Sequence, residues 1–455
     1  MKSKVLVGNG QGFWGDSPLG PVRLVREGPL DYLTLDYLAE VTMSILQKAR
    51  AKNPTAGYAT DFPRLLKQIL VQCKQQGIKV IANAGGINPR ACAVAVAKVV
   101  GELGLKGVRI GIVEGDDILP ELPALVDGGA PLVNMDTGAP LKPRLADVRC
   151  ANVYLGAAPL VEALQQDADV VICGRCTDPS LAVAPLVYEF GWKMDDYDLL
   201  AAGTVAGHIL ECGAQASGGN LYRWKTVKDL ARVGYPIAEA SPDGTFVITK
   251  HEGTGGVVDR ESVTAQIVYE LGDPKHYLTP DVTADFTTIR LDEIGKDRVR
   301  VHGIRGTKPT PTFKVSIGVH EGYRAVGELT VVGPDAIARA RLCAELIFER
   351  LRMDGVEFAP ENRIVELVGT NVVFPGMLPP VTEPMELVLR VGAKDRDTAK
   401  LDRFGMELAP LVTSGPTGLT GFAGGRPKPS AMVGFWPALL DKSRARARVT
   451  VTEVP

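Results

Sequence analysis

The sequence predicts an α/β protein: a parallel-sheet, Rossmann-like N-terminal domain (residues 1–236) followed by a second, α+β domain (residues 237–455). Three observations carry this. In the first half, short β-branched runs alternate with helical patterns long enough to serve as crossovers between parallel strands. Beyond residue 236 the strands instead follow one another directly, with turn residues between them, and lead into a helix. A chain of 455 residues also exceeds what one core usually organises, so two domains are expected.

Taken in order, Val5–Val7 reads as a strand, and Leu38–Ala51 and Phe62–Gln76 have helical apolar spacing. Lys79–Ala82 is a strand, Pro89–Leu103 a helix, Val108–Val113 a strand, Ala157–Gln165 a helix and Asp169–Cys173 a strand. Right-handed crossovers would align the loops after these strands along one edge, where open sheets of this kind bind ligands. In the second half, Thr245–Thr249, Asp285–Leu291, Val299–Ile304, Thr312–Gly318 and Gly327–Val332 read as strands, and Ala336–Met353 as a helix with Leu342, Leu346, Ile347 and Leu351 on one face.

Composition narrows the function. A formal net charge of -2 offers no broad basic surface to nucleic acid or anionic membrane. The basic cluster Lys442, Arg444, Arg446 and Arg448 reads as a solvated strand edge or helix end. Seven cysteines without a regular framework argue against a disulfide scaffold. The N-terminus enters a strand without a signal-peptide core, and no apolar run reaches the roughly 20 residues needed to span a bilayer. A cytoplasmic protein is expected.

The strand ends hold the candidate chemistry. In Asn83-Ala84-Gly85-Gly86-Ile87-Asn88-Pro89-Arg90 a strand runs through glycines into a helix that Asn88 can cap. The loop is either an anion cradle, with free N–H groups, a helix dipole and Arg90 as a charged donor, or a tight turn. The adjacent carboxylates of Glu114-Gly115-Asp116-Asp117 offer a general base, for which Asp116 is the candidate, or oxygen ligands for a divalent cation, with helix capping by Asp117 as the plainer alternative; Asp136, near Asn134, stands at an expected third strand end. At a fourth, Arg175 can pair with an anion and Asp178 precedes a helix start. Cys173 and Cys176 form a C-x-x-C, which without a second pair or a thioredoxin-like setting reads as two buried thiols.

His208 and Glu211 lie three apart near the end of a helix that stops at Gly213, with Cys212 on the same side. They can gather a base, an acid and a thiol, or form a structural polar layer. Thr254, Gly255 and Gly256, after a strand and before a helix, suggest a second anion cradle between the domains. Gly10-Gln11-Gly12-Phe13-Trp14-Gly15 matches the dinucleotide fingerprint, with Asp36 at the expected distance. Bulky Phe13 and Trp14, and Pro18 and Pro21 nearby, weaken it. The remaining histidines have no metal-ligand spacing, so neither a metal nor a cofactor is expected.

These segments together resemble the acyclic terpene utilisation protein family, formerly a domain of unknown function. The resembling stretches include Gly12-Phe13-Trp14-Gly15-Asp16-Ser17, Tyr37-Leu38-Ala39-Glu40, Ala56-Gly57-Tyr58-Ala59-Thr60-Asp61-Phe62 and Asn83–Ala91. Further matches are Val113–Asp117, Asp136-Thr137-Gly138, Gly174-Arg175, Glu211–Gln215, Gly253–Gly256 and Pro280-Asp281-Val282. Cys176 and His251 depart from the family pattern. The resemblance implies catabolism of branched or terpenoid acids through CoA thioesters. It also implies a small partner protein of about 100 residues, the size of one small domain, supplying what longer relatives carry at their C-terminus.

The sequence therefore leads to a cofactor-independent lyase, hydratase or isomerase acting on a carboxylate or acyl-CoA thioester. Its small anionic substrate is held by Asn83, Gly85, Gly86, Asn88, Arg90, Arg175, Thr254, Gly255 and Gly256, and its proton is moved by Asp116, Asp136, Asp178, His208 or Glu211. The alternatives are a binding or scaffold subunit that needs the small partner, and a dinucleotide-dependent oxidoreductase. Apolar strands such as Val449–Val451 suggest a homo-oligomer.

Overall fold

A computed structural model of the chain describes residues 2–421 and 424–455. It divides into two compact units, one ending at Gly318 and taking up the chain again from Phe435 to Pro455, the other spanning Val319–Gly434. The division differs from the expected boundary at residue 236 because the strands after that point join the sheet that precedes it.

The first unit is built on a mixed ten-stranded sheet. Its parallel heart comprises β1 (Val5–Asn9), β2 (Tyr32–Leu35), β3 (Lys79–Ala82), β4 (Val108–Glu114) and β6 (Val170–Cys173), in the order β1-β2-β3-β6-β4. Strand β5 (Val148–Val153) lies off this path and pairs with the strand that begins at Thr312. Strand β7 (Ile237–Ala240) runs antiparallel to β1, and β8 (Phe246–Thr249) continues the sheet beyond it. At the other edge, Arg448–Val454 lies antiparallel to β4. The segment containing Val449–Val451 is thus an ordinary edge strand. The order is not the 3-2-1-4-5-6 of dinucleotide-binding folds. The chain steps β1, β2, β3 in one direction, passes over one place to β4, and returns to fill it with β6.

Helices α1 (Leu19–Arg26), α2 (Glu40–Lys52), α3 (Asp61–Gln76), α4 (Pro89–Glu102), α5 (Leu122–Asp127) and α6 (Ala158–Gln165) punctuate these strands. Helices α7 (Ser180–Phe190) and α8 (Tyr197–Glu211) follow β6. The central strands are apolar and buried along their length, as a parallel sheet covered on both faces demands. Asn88 caps α4 through the Ala91 N–H at 3.3 Å, with Pro89 in its first turn. Helix α3 buries Phe62, Leu66, Ile69 and Leu70 and ends at Gly77, whose φ of 71° suits a left-handed cap. No helix among the described residues is long and apolar enough to cross a membrane.

In the second unit, strand Glu386–Asp395 pairs antiparallel with the later part of Thr312–Val332 on one side and with Arg363–Val368 on the other. The sequence pattern predicts two strands there, Thr312–Gly318 and Gly327–Val332. A single 21-residue strand forms because Gly322, at φ 94°, absorbs the irregularity that read as a turn. Helix Ala336–Met353 matches its expected limits. It buries Ala340, Cys343, Ile347 and Leu351 against Leu389, Val391, Leu401 and Phe404.

His251 is held in place by packing. It is buried, with Nε2 2.9 Å from the Leu24 carbonyl of α1, and a Cβ on Gly28 would lie 2.3 Å from its Nδ1. Gly28→Ala is therefore expected to cost about 1–3 kcal/mol by overpacking, and His251→Ala should abolish most of that cost. Urea melts of the four proteins in the cycle measure the coupling. Equal costs in both backgrounds would refute it.

Candidate functional site

The carboxyl ends of β2, β3 and β6 deliver polar side chains to one place. Asp36 follows β2, Asn83 follows β3, and Arg175 and Asp178 occupy the turn from β6 into α7. Asn83 Nδ2 donates to Asp36 Oδ1 at 2.6 Å, while Asn83 Oδ1 accepts from the Tyr37 N–H at 2.7 Å. The Leu38 N–H also donates to Asp36 Oδ1, at 3.0 Å. Arg175 is buried: its guanidinium donates to the Leu38 carbonyl, lies 3.4 Å from Asp178 Oδ1 and 3.9 Å from Glu40 Oε1, and stacks 4.4 Å from the ring of Tyr154. Tyr154 in turn donates to Glu40 Oε1 at 2.6 Å.

The floor of this site is sealed and its mouth is open. Asp36 is buried, whereas the side chains of Asp178 and Glu40 are 33% and 35% exposed, so both can meet a ligand. Lys314, more exposed still, lies 3.9 Å from Glu40 Oε1 and over the Tyr154 ring.

Charge dictates how protons are shared here. Burial, and then the neighbouring Asp178 charge, push the Asp36 carboxyl well above the carboxylate range, against the pull of Arg175. Asp178 is also raised, by burial, while Arg175 and a hydrogen bond from Asp36 favour its ionised form. Asp178 Oδ1 is buried and faces the Arg175 guanidinium at 3.4 Å without a hydrogen bond. The pair thus titrates as a unit, with Asp36 the natural holder of the proton and Asp178 the natural carboxylate. Burial would raise Glu40 too, but the Tyr154 hydrogen bond and the Arg175 charge outweigh it, and its carboxyl titrates lower than usual.

A second acid–base pair is within electrostatic reach. His208 Nδ1 lies 3.2 Å from Glu211 Oε1 and 3.4 Å from the Tyr277 hydroxyl; its Nε2 is 3.1 Å from the Ile267 carbonyl and so carries a proton. Burial lowers the imidazole, but the charge and hydrogen bond of Glu211 outweigh it and raise it. Burial pushes Glu211 up to about 7 despite His208, and Asp178 adds to that rise. Glu211 Oε2 is buried without a hydrogen-bond partner.

Asp116 supports the site from behind. Its Oδ2 accepts from the Arg175 N–H and from Asn152 Nδ2, each at 2.8 Å, and burial pushes its carboxyl up to about 7. A Cβ on Gly174 would fall 2.3 Å from Asp116 Oδ1, so the glycine is what lets the carboxyl reach the turn. Asp116 positions Arg175, which differs from the role of general base expected for it.

Other expected residues fall elsewhere. Asp136 is exposed in a turn whose amides bond to Asn134 Oδ1, and no strand precedes it. The Gly85–Gly86 loop is no open cradle. Its N–H groups donate internally, Gly85 to the Cys173 carbonyl at 3.0 Å and Gly86 to the Asn83 carbonyl at 3.2 Å, and Ile87 and Asn88 are also bonded. Asn88 caps α4, and exposed Arg90 is paired with Glu114 at 2.6 Å. The second cradle is filled in the same way: Gly255 donates to the Arg232 carbonyl, Gly256 to that of Lys228, and the Thr254 hydroxyl to that of His251. It lies inside the first unit and not at a boundary between domains.

The G-x-G-x-x-G loop is likewise turned inward. Gly10 donates to the Thr34 carbonyl and Gly12 to Asp16 Oδ2, and a Cβ on Gly12 would lie 2.8 Å from the Cys212 backbone. These glycines serve the chain's own close packing, and Asp36 at the end of β2 faces Asn83 and Asp178. Cys173 and Cys176 are buried free thiols with sulfurs 3.7 Å apart. Among the described residues, no group of three or more His, Cys, Asp or Glu side chains is arranged to hold a metal ion.

Sequence reasoning missed Asp36 as an acid, along with Glu40, Tyr154 and Lys314. Asp36 had a legible signal, a carboxylate directly after the short apolar strand Tyr32–Leu35. Lys314 had none, because it comes from a strand more than 130 residues beyond Arg175 and is brought in by pairing with β5. No curated protein and no solved structure matches the chain. The model of the acyclic terpene utilisation family AtuA matches residues 5–451, nearly the whole chain, and the protein therefore belongs to that family.

Proposed function

We propose that the chain is an enzyme of the lyase, hydratase or isomerase type that moves a proton on a carboxylate or acyl-CoA thioester of a branched or acyclic terpenoid acid. Family membership implies a role in acyclic terpene utilisation. The observation that carries the reaction type is the Asp178 carboxylate, one third exposed at the mouth and backed by buried Asp36 and Arg175. In this reading Asp178 takes a proton from the substrate, Asp36 supports it through their shared hydrogen bond, and Arg175 keeps the pair from being fully protonated. Lys314 at the mouth meets the substrate's negative charge, the part first assigned to the glycine loops. Glu211, paired with His208, is placed to supply or accept the second proton that a lyase or isomerase needs.

The test is isotope exchange. The protein is incubated in deuterium oxide with a panel of acyclic terpenoid acids and their CoA thioesters, and loss of the substrate's C–H signal is followed by NMR. At least one member should exchange or turn over with the native chain and fail with Asp178→Asn. Exchange at the native rate in that variant would remove Asp178 from the mechanism.

A further inference from the structure

The second unit carries an apolar arm. Between strands Arg363–Val368 and Glu386–Asp395, residues 371–385 form turns without a strand or helix, and Val373, Phe374, Met377, Leu378 and Met385 are 70%, 57%, 77%, 56% and 65% exposed. A run of large apolar side chains this exposed is rare on a protein that acts as a monomer. The arm holds a single charged residue, Glu383, and four prolines, which limit its freedom and so the entropy lost on docking.

The same unit carries a groove of about 820 Å³ along helix Ala336–Met353, with Phe348, Val356, Phe358 and Val365 on its walls. Arg352 and Glu349 pair with each other at its rim, so the rim favours neither an acidic nor a basic visitor. We infer that the arm of one copy of this chain seats in the groove of a second copy. A twofold axis would form the contact twice, since each chain brings both an arm and a groove. The exposed surface of the arm's large side chains is on the order of 600–700 Å², close to the ~800 Å² that each partner buries in a stable complex. The arm has no lysine or arginine to meet anionic lipid, which argues against a membrane surface as the occupant.

The test is the mass of the purified full chain in sedimentation equilibrium at micromolar concentration. The expected mass is twice the 48.5 kDa of one chain. The double variant Phe374→Asp, Met377→Asp should sediment as a monomer with an unchanged thermal melt. Chains bearing Met377→Cys alone, mixed with chains bearing Glu345→Cys alone, should be joined by a flexible bismaleimide into a heterodimer that neither chain gives by itself. A monomeric native chain overturns the proposal, and so does a dimer that survives in the aspartate variant. Dimerisation that needs the arm but gives no heterodimer cross-link overturns the groove as its seat.

Discussion

Replacing Asp178 by Asn should lower turnover by about 10²–10⁴-fold, the contribution of a positioned general base, while Asp36→Asn should be far milder. The two carboxyls share a proton, yet their surroundings differ. Asp36 is buried, and it accepts from Asn83 Nδ2 and the Leu38 N–H on one oxygen, which leaves the other to face Asp178. An asparagine there reproduces the protonated acid: its oxygen accepts the same two hydrogen bonds and its amide donates to Asp178. An asparagine at 178 cannot accept a proton at all. Asp36→Ala removes the donor and should fall between the two.

Steady-state kinetics on the substrate found by isotope exchange separates the cases, with circular dichroism confirming that each variant folds. The acid limb of kcat/KM carries a second readout. Asp36→Asn removes the like charge that appears when both groups ionise, so Asp178 should titrate as a single site and the limb should become simpler in shape. If Asp36→Asn were as damaging as Asp178→Asn, the roles given to the two carboxyls would be wrong.

How much of this was legible in the sequence follows from the range of the interactions. The parallel strands and most helices of the first unit are local: Lys79–Ala82 and Pro89–Glu102 stand nearly where apolar spacing and an Asn-Pro start put them. The strand ends pointed to Arg175, Asp178 and Asn83 because a polar side chain beside an apolar run is visible in one dimension, and the three-residue spacing of His208 and Glu211 on a helix is equally local. What the glycines do was not visible. A Gly-Gly before a helix reads the same whether its amides face a ligand or, as here, the Cys173 and Asn83 carbonyls. The domain boundary failed for a similar reason, since only three-dimensional pairing shows that β7 returns to β1. Asp116 shows both sides: its place after β4 was plain, but its two hydrogen bonds to the Arg175 turn and Asn152 were not.

The largest stability effect is expected at Arg175. It is a fully buried cation among Asp36, Asp178 and Glu40, and removing one partner of such a cluster leaves the others buried and uncompensated, at a cost of about 3–5 kcal/mol. Arg175→Met keeps an unbranched chain against the ring of Tyr154 while deleting the charge, so the effect is mainly electrostatic and its pH dependence has a definite sign. Without the cation, Asp36 and Asp178, already raised by burial, titrate higher still above the ~4 of carboxyls in the unfolded chain, and Glu40 loses one of the charges that hold it down. A carboxyl raised on folding favours the folded state while it stays protonated, so that stability is present at low pH and is lost as pH rises toward the folded value. The native protein already loses some stability this way, because Asp116 and Glu211 are pushed up to about 7. In Arg175→Met the loss should be steeper, with a gap in melting temperature from the native chain that is small near pH 5 and wide at pH 8. A gap of equal size at both would mean that Arg175 acts through packing on Tyr154, and that the carboxyls around it do not depend on its charge.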